Sequence, residues 1–363
     1  MVINSKKIAL RASTSQRFQP SAAPSYSGWA QRRPRRQSVT SLPVSSRPRV
    51  YLIVAACAVA AAGLTVGVTL ATRTPTPKRP VGQAGAPPLV LDLGVRTDPE
   101  AVALRRADNL YNAGQRGRAA EIFGRYGSVE ARVGTALAAW PAGFGSLAAL
   151  AKAHPRSALA QLNYGLGLYW RGDTPAAKEA WRDARRREPD TPYALRAQDL
   201  LYPNFPRGLP TFVPSFGSPA ALDRLSPPRQ LVYLKRLAET GGTRGRLLYG
   251  AALQRLGRQL SALREFDAAA ALAPGDAEPQ VAAAVGRFDK ADPSRTFSRL
   301  GPLAQRYPKS QSVRFHLGLC LLWLGSMKQA REELRLAREL GPDTPLGGEA
   351  RRFLAQLSRI KPR

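Results

Sequence analysis

The sequence predicts an all-α chain, a solenoid of stacked helical hairpins in two duplicated halves, preceded by one transmembrane helix and a disordered basic arm. Three observations predict it. Residues 150–201 return at 303–354 with a constant shift of 153, and the two stretches share 20 of 52 residues without a gap. The identities include Gly165/Gly318, Gly172/Gly325, Ala177/Ala330, Ala184/Ala337 and Pro189/Pro342, the small and turn-forming positions of a hairpin rather than the polar groups of a reaction. Residues 50–72 make an uncharged run of 23, and residues 1–91 hold 13 Lys/Arg but no Asp or Glu, in a chain whose net charge is +30.

The arm comes first. Residues 1–49 are rich in Ser, Pro, Arg and Gln and poor in aliphatic side chains, so they bury too little apolar surface to offset the entropy of ordering. From Val50 to Thr72 a helix would span about 34 Å, enough to cross a hydrocarbon core of about 30 Å. A cleaved signal peptide is shorter and lies nearer the N-terminus. Val54-Ala55-Ala56-Cys57 resembles a lipobox, but the apolar run continues past the cysteine, which favours a signal anchor. Six arginines (Arg32, Arg33, Arg35, Arg36, Arg47, Arg49) precede the span closely and three basic residues follow it. The arm is therefore expected in the cytoplasm and the large domain outside, on a single-pass protein of the cell membrane. Residues 73–90, rich in Pro and Gly, read as an extended spacer. Abundant Arg and Ala fit a GC-rich bacterial genome.

The remainder reads as helix. Apolar residues recur at three- and four-residue intervals, and Pro and Gly punctuate at hairpin spacing. The first half is expected over 91–202. Seven prolines make 203–228 a structureless connector, and the second half fills 229–363 with a C-terminal capping helix at Leu346–Ile360. Two cysteines, Cys57 and Cys320, exclude a disulfide framework.

Three segments share one skeleton: Gly165, Gly172, Ala177, Ala184, Pro189; Gly250, Gly257, Ala262, Ala269, Pro274; and Gly318, Gly325, Ala330, Ala337, Pro342. The first Gly and the alanines mark close helix crossings, the second Gly a left-handed turn, and Pro the end of the second helix. This skeleton resembles the tetratricopeptide repeat (TPR) family, over about 158–191, 243–276 and 311–344. Ala107, Leu110, Gly114, Ala119 and Phe123 give a weaker fourth copy, and 129–157 and 277–310 read as degenerate hairpins. The resemblance implies a right-handed solenoid whose concave groove binds a peptide or a partner protein. It places Leu162, Leu166, Tyr169 and Trp170, and Phe315, Leu319, Leu322 and Trp323, on or near that groove. Trp170 and Trp323 are then either anchors for a partner or packing against the adjacent hairpin.

Other candidates point away from chemistry. Some TPR proteins clamp a peptide carboxylate with Lys and Asn, but Asn163 has Leu248 and His316 at its counterpart positions. Arg185, Arg186, Arg187, Arg335 and Arg338 read as a solvated face, with anionic polymers or headgroups the alternative. His154 and His316 have no Cys or carboxylate at ligand spacing, Gly165-Leu166-Gly167 follows no strand, and no nucleophile stands beside a base. The expectation is a scaffold that works by contact, without cofactor or metal. A basic arm that holds anionic lipid or nucleic acid is the alternative function, as is a non-catalytic subunit of an enzyme complex.

Overall fold

The computed structural model describes residues 83–358, so the arm at 1–49 and the uncharged run at 50–72 lie outside the described residues. The first half contains α1 (Pro99–Asn112), α2 (Arg116–Phe123), α3 (Val129–Ala138), α4 (Phe144–Ala153), α5 (Ala158–Trp170), α6 (Thr174–Arg187) and α7 (Pro192–Leu201). A single 3-10 turn (Ala220–Arg224) and α8 (Pro227–Thr240) follow. The second half continues with α9 (Gly242–Arg255), α10 (Gln259–Leu272), α11 (Ala277–Val285), α12 (Ser294–Arg306), α13 (Gln311–Trp323), α14 (Met327–Leu340) and α15 (Pro345–Ser358). No strand occurs among the described residues. The helices α1–α7 correspond one to one with α9–α15, and the turn with α8 is an insertion between them.

The glycines and alanines explain how each hairpin closes. A Cβ on Gly165 would fall within the indole of Trp181, and one on Gly250 within the ring of Phe266. One on Gly318 would stand 2.9 Å from Cγ of Leu334. Trp181, Phe266 and Leu334 are buried, so the bulk of each second helix rests directly on the backbone of the first. Ala177, Ala184, Ala262, Ala269, Ala330 and Ala337 are fully enclosed at the same crossings. Gly172, Gly257 and Gly325 turn between the helices at φ 87°, 73° and 75°, where a side chain is strained. Ser157 and Ser310 cap α5 and α13, accepting from the N–H groups of Ala160 and Val313.

The two halves are bound to each other by polar contacts. Asp190, just past α6, accepts from the N–H groups of Leu260 and Ser261 at 2.8 and 3.0 Å, and so caps α10, whose own cap residue Arg258 offers no side-chain bond. Lys290 Nζ, enclosed after α11, donates to Asp199 at 2.5 Å and to the carbonyl of Pro206 at 2.7 Å. Such a pair is weak evidence for stability, but breaking it would leave a buried charge without a partner.

Two linker expectations need correction. Residues 83–90 do not run as a free spacer, and most of 203–228 is not structureless. Each is an extended segment fastened along the half that follows it, because side chains of that half supply the hydrogen bonds that a Pro-rich chain cannot make to itself. The expected C-terminal capping helix, Leu346–Ile360, corresponds to α15 as far as Ser358, and α7 stands at the equivalent place in the first half.

Candidate functional site

In each half the first helices of successive hairpins stand side by side, and the groove they form holds an extended strap of the chain itself. The first strap, 83–93, lies along the face of α1, α3 and α5. Asn163 on α5 is fully buried and grips Val90 from both sides: its Oδ1 accepts the Val90 N–H and its Nδ2 donates to the Val90 carbonyl, each at 3.0 Å. Tyr111 of α1 donates its hydroxyl to the carbonyl of Pro87 at 2.6 Å. Tyr193 of α7 both donates to the Asp92 carbonyl and accepts from the Asp92 N–H. Burial pushes the Tyr111 phenol up to about 12 and raises that of Tyr193 as well, which keeps both as neutral donors.

The second strap, 206–216, repeats this along α9, α11 and α13. Val213 donates its N–H to Nε2 of His316 at 2.9 Å, and Phe212 donates to Oε1 of Gln254 at 2.8 Å. Ser215 bonds through both its N–H and its hydroxyl to Glu278. His316 stands at the position of Asn163, one repeat of 153 later. Its Nδ1 lies 2.7 Å from the Ser312 carbonyl, which fixes the tautomer with the proton on Nδ1 and leaves Nε2 as acceptor. Burial lowers the ring to about 4, opposed by the Ser312 carbonyl, so it is neutral at ordinary pH. Phe212 stacks on it at 5.0 Å.

The straps are themselves a repeat. At a shift of 123, Gly85 pairs with Gly208, Pro87 with Pro210, Leu89 with Phe212, Val90 with Val213 and Leu93 with Phe216. Gly85 and Gly208 both have left-handed backbone, at φ 79° and 73°. Leu89 and Phe212 are buried in the core of the outer hairpins of their half, whereas Val90 and Val213 turn to the last hairpin.

This occupation decides where the eight groove residues stand. Leu162, Leu166, Phe315, Leu319 and Leu322 are buried, and Tyr169, Trp170 and Trp323 are half-buried. Trp323 donates its Nε1–H to the Gly208 carbonyl of the second strap, and Gln83 of the first strap donates its N–H to the carbonyl of Trp170. The chain's own straps and hairpins cover these eight residues. Sequence reasoning weighed Asn163 only as half of a carboxylate clamp and His316 only as its unsuitable counterpart there and as a metal ligand, and it missed Tyr111, Gln254 and Glu278. The signal that exposes them is the fainter second repeat at 123.

Among the described residues no group of three or more His, Cys, Asp or Glu is placed to hold a metal ion. Gly165-Leu166-Gly167 sits in mid-helix, with Gly165 under Trp181. Cys320 is enclosed and burial raises its thiol. The arrangement holds the chain's own main chain.

No protein-family model and no curated protein matches the chain. Among solved structures it is similar to yeast Tom70, at 12% identity and a TM-score of 0.32 over 75% of this chain and 52% of that one. This chain therefore spans about half the length of that structure. The TPR2AB-domain:pHSP90 complex of yeast Sti1 aligns at 12% identity and a TM-score of 0.27, over 72% of this chain and 98% of that one. A tetratricopeptide repeat protein of Parabacteroides merdae aligns at 12% and 0.29, over 72% and 99%.

Proposed function

We propose that this protein is a non-catalytic, membrane-anchored scaffold whose TPR-like grooves recognise extended polypeptide of the pattern Gly-x-Pro-x-Φ-Val, where Φ is a large apolar residue. One observation carries the reading: two grooves at equivalent places each hold a segment of that pattern, gripped through main-chain bonds by Asn163 in one and His316 in the other. Recognition of main chain gives affinity and the alternating pockets give selectivity. A partner bearing the pattern meets a groove by displacing a strap; other partners meet the outer surface.

The groove reading is tested with a chain in which 83–93 is replaced by a Gly/Ser segment. A labelled synthetic 83–93 peptide should bind it, and Asn163→Leu should abolish binding. Failure to bind, or equal binding to the Asn163→Leu chain, would refute the reading.

Anchoring rests on the uncharged run at 50–72, since among the described residues no helix is long and apolar enough to cross a membrane. Thiol labelling of Thr40→Cys and Thr76→Cys in intact cells, in a Cys57→Ser background, tests the topology. Label at position 76 alone is expected; label at position 40 alone would invert it.

A further inference from the structure

The grooves are closed by straps, but a second concavity is open. A cleft of about 1000 Å³ lies where the two halves meet, walled by α6 on one side and by α12 with the α11–α12 loop on the other. Lys178, Arg182, Arg185 and Arg186 line the first wall, and Arg287, Arg295 and Arg299 the second. Among these lining residues the one acid is Asp289. It is already saturated, accepting from Arg185 at 2.6 Å, from Gln198 at 2.7 Å and from the Ala291 N–H at 2.8 Å.

The remaining cations divide into fixed and free. Arg287 is held by Asp267 and by the Ala283 carbonyl. Arg182, Arg186 and Arg295 pair only with a carboxylate three residues away on or beside their own helix, and their side chains are 51%, 68% and 66% exposed. Pairs of that kind contribute little and exchange readily for a better-placed carboxylate. Lys178 and Arg299 form no ion pair among the described residues. Between the walls Leu195, Leu201, Leu263 and Phe288 line the cleft beside Gln198, Tyr202 and Gln259, and Leu260 stands 40% exposed.

We propose that this cleft is a docking site for an acidic amphipathic polypeptide segment of a partner protein. The cations of α6 and α12 recur at one-turn spacing, 178, 182 and 186 on one wall and 295 and 299 on the other. That is the spacing at which a partner helix presents carboxylates on two flanks. The row on α6 extends about 12 Å, which suits a partner segment of about three helical turns. The leucines between the walls receive the partner's aliphatic face, a contact that a phosphate backbone does not use, which favours polypeptide over nucleic acid. The chain's own N-terminal portion is not the occupant, because residues 1–91 carry 13 Lys/Arg and no acid and the cleft repels them. Polar contacts between the halves build both walls before any partner arrives, so docking costs little rearrangement.

The test uses the full chain and a labelled synthetic helix of about 14 residues with leucine on one face and glutamate on both flanks. Saturable binding is expected. It should weaken by about ten-fold or more in the Arg182→Glu/Arg186→Glu/Arg299→Glu chain, and again when the peptide's Leu and Glu are scrambled. An Arg335→Glu/Arg338→Glu chain, altered on α14 outside the cleft, should bind as the parent does. Melting curves of both variants should match the parent, since every altered side chain is exposed. Binding that survives the cleft substitutions, as it would if the basic N-terminal region held the peptide, overturns the proposal. So does an oligodeoxythymidylate of about 20 nucleotides that binds more tightly than the peptide and loses its affinity in the same cleft variant. Failure of the peptide to bind at all overturns it as well.

Discussion

Replacing His316 by Asn should remove a pH dependence that this one ring imposes on folding. In the native chain Nε2 accepts the Val213 N–H, Nδ1 donates to the Ser312 carbonyl, and Phe212 closes the third side. Burial lowers the ring from 6.5 to about 4. The sign follows from linkage: the unfolded chain takes the proton first, so the contribution is whole above pH 6.5 and is lost as pH falls toward 4. Between pH 7 and pH 5 the loss is about 2 kcal/mol, because one unit of pKa difference is worth about 1.4 kcal/mol. Asn at this position keeps an acceptor for Val213, as Asn163 does for Val90, but does not titrate. At pH 7 the Asn variant should be less stable by about 1–2 kcal/mol through the lost ring volume. At pH 5 that deficit should vanish. Urea unfolding of both proteins at pH 7 and 5 gives the double difference, and the other carboxylates cancel from it. The protection factor of the Val213 amide, taken relative to the intrinsic exchange rate at each pH, should fall on acidification in the native chain alone. Curves that stay parallel within about 0.5 kcal/mol would show that His316 does not hold the strap in the neutral form and would refute the reasoning.

Ala177→Leu or Ala330→Leu should cost about 1–3 kcal/mol or more by forcing a close crossing apart, whereas Arg186→Gln should cost little; thermal melting compares them. Asn163→Leu should lower stability by about 2–4 kcal/mol, since both the N–H and the carbonyl of Val90 lose their buried partner, and calorimetry reads it directly. Trp323→Phe should cost about 1 kcal/mol through the bond to Gly208, but Trp323→Ala about 3 kcal/mol or more through lost packing, both measured in denaturant. Burial raises the Asp108 carboxyl from 3.8 to about 6. The folded chain therefore takes that proton first and gains stability as pH falls from 6 toward 3.8. Asp108→Asn should raise Tm at pH 7.5, and the gain should disappear by about pH 4.

The helical architecture was legible because sterics wrote it. Gly165, Gly250 and Gly318 recur where a side chain would strike Trp181, Phe266 or Leu334, and the turn glycines recur where backbone is left-handed. Those demands leave residue identities that survive divergence of everything between them. The straps left almost none. A segment held by its main chain needs few fixed side chains, and Pro87, Pro210 and Pro214 read as breakers, although a groove that supplies side-chain acceptors turns such a segment into ordered structure. The straps also repeat at 123 rather than 153, because α8 and the turn before it lengthen the second half, so a search in register with the helices passes them over.

The gripping residues were hidden for a different reason. Asn163 and His316 look unrelated as chemistry, yet at one place in the repeat both do the same work, accepting an N–H from a half-buried valine. Asn163 also returns a donor to the Val90 carbonyl, whereas His316 spends its one ring proton on Ser312. The second strap compensates with bonds absent from the first, Ser215 to Glu278 and Trp323 to Gly208. The two grooves are thus equivalent in geometry but not in response. Holding the first strap through Asn163 involves no titrating group, whereas the second depends on a ring that loses its acceptor on protonation. Acidification should release 206–216 ahead of 83–93, an order that hydrogen exchange at Val213 and Val90 would reveal.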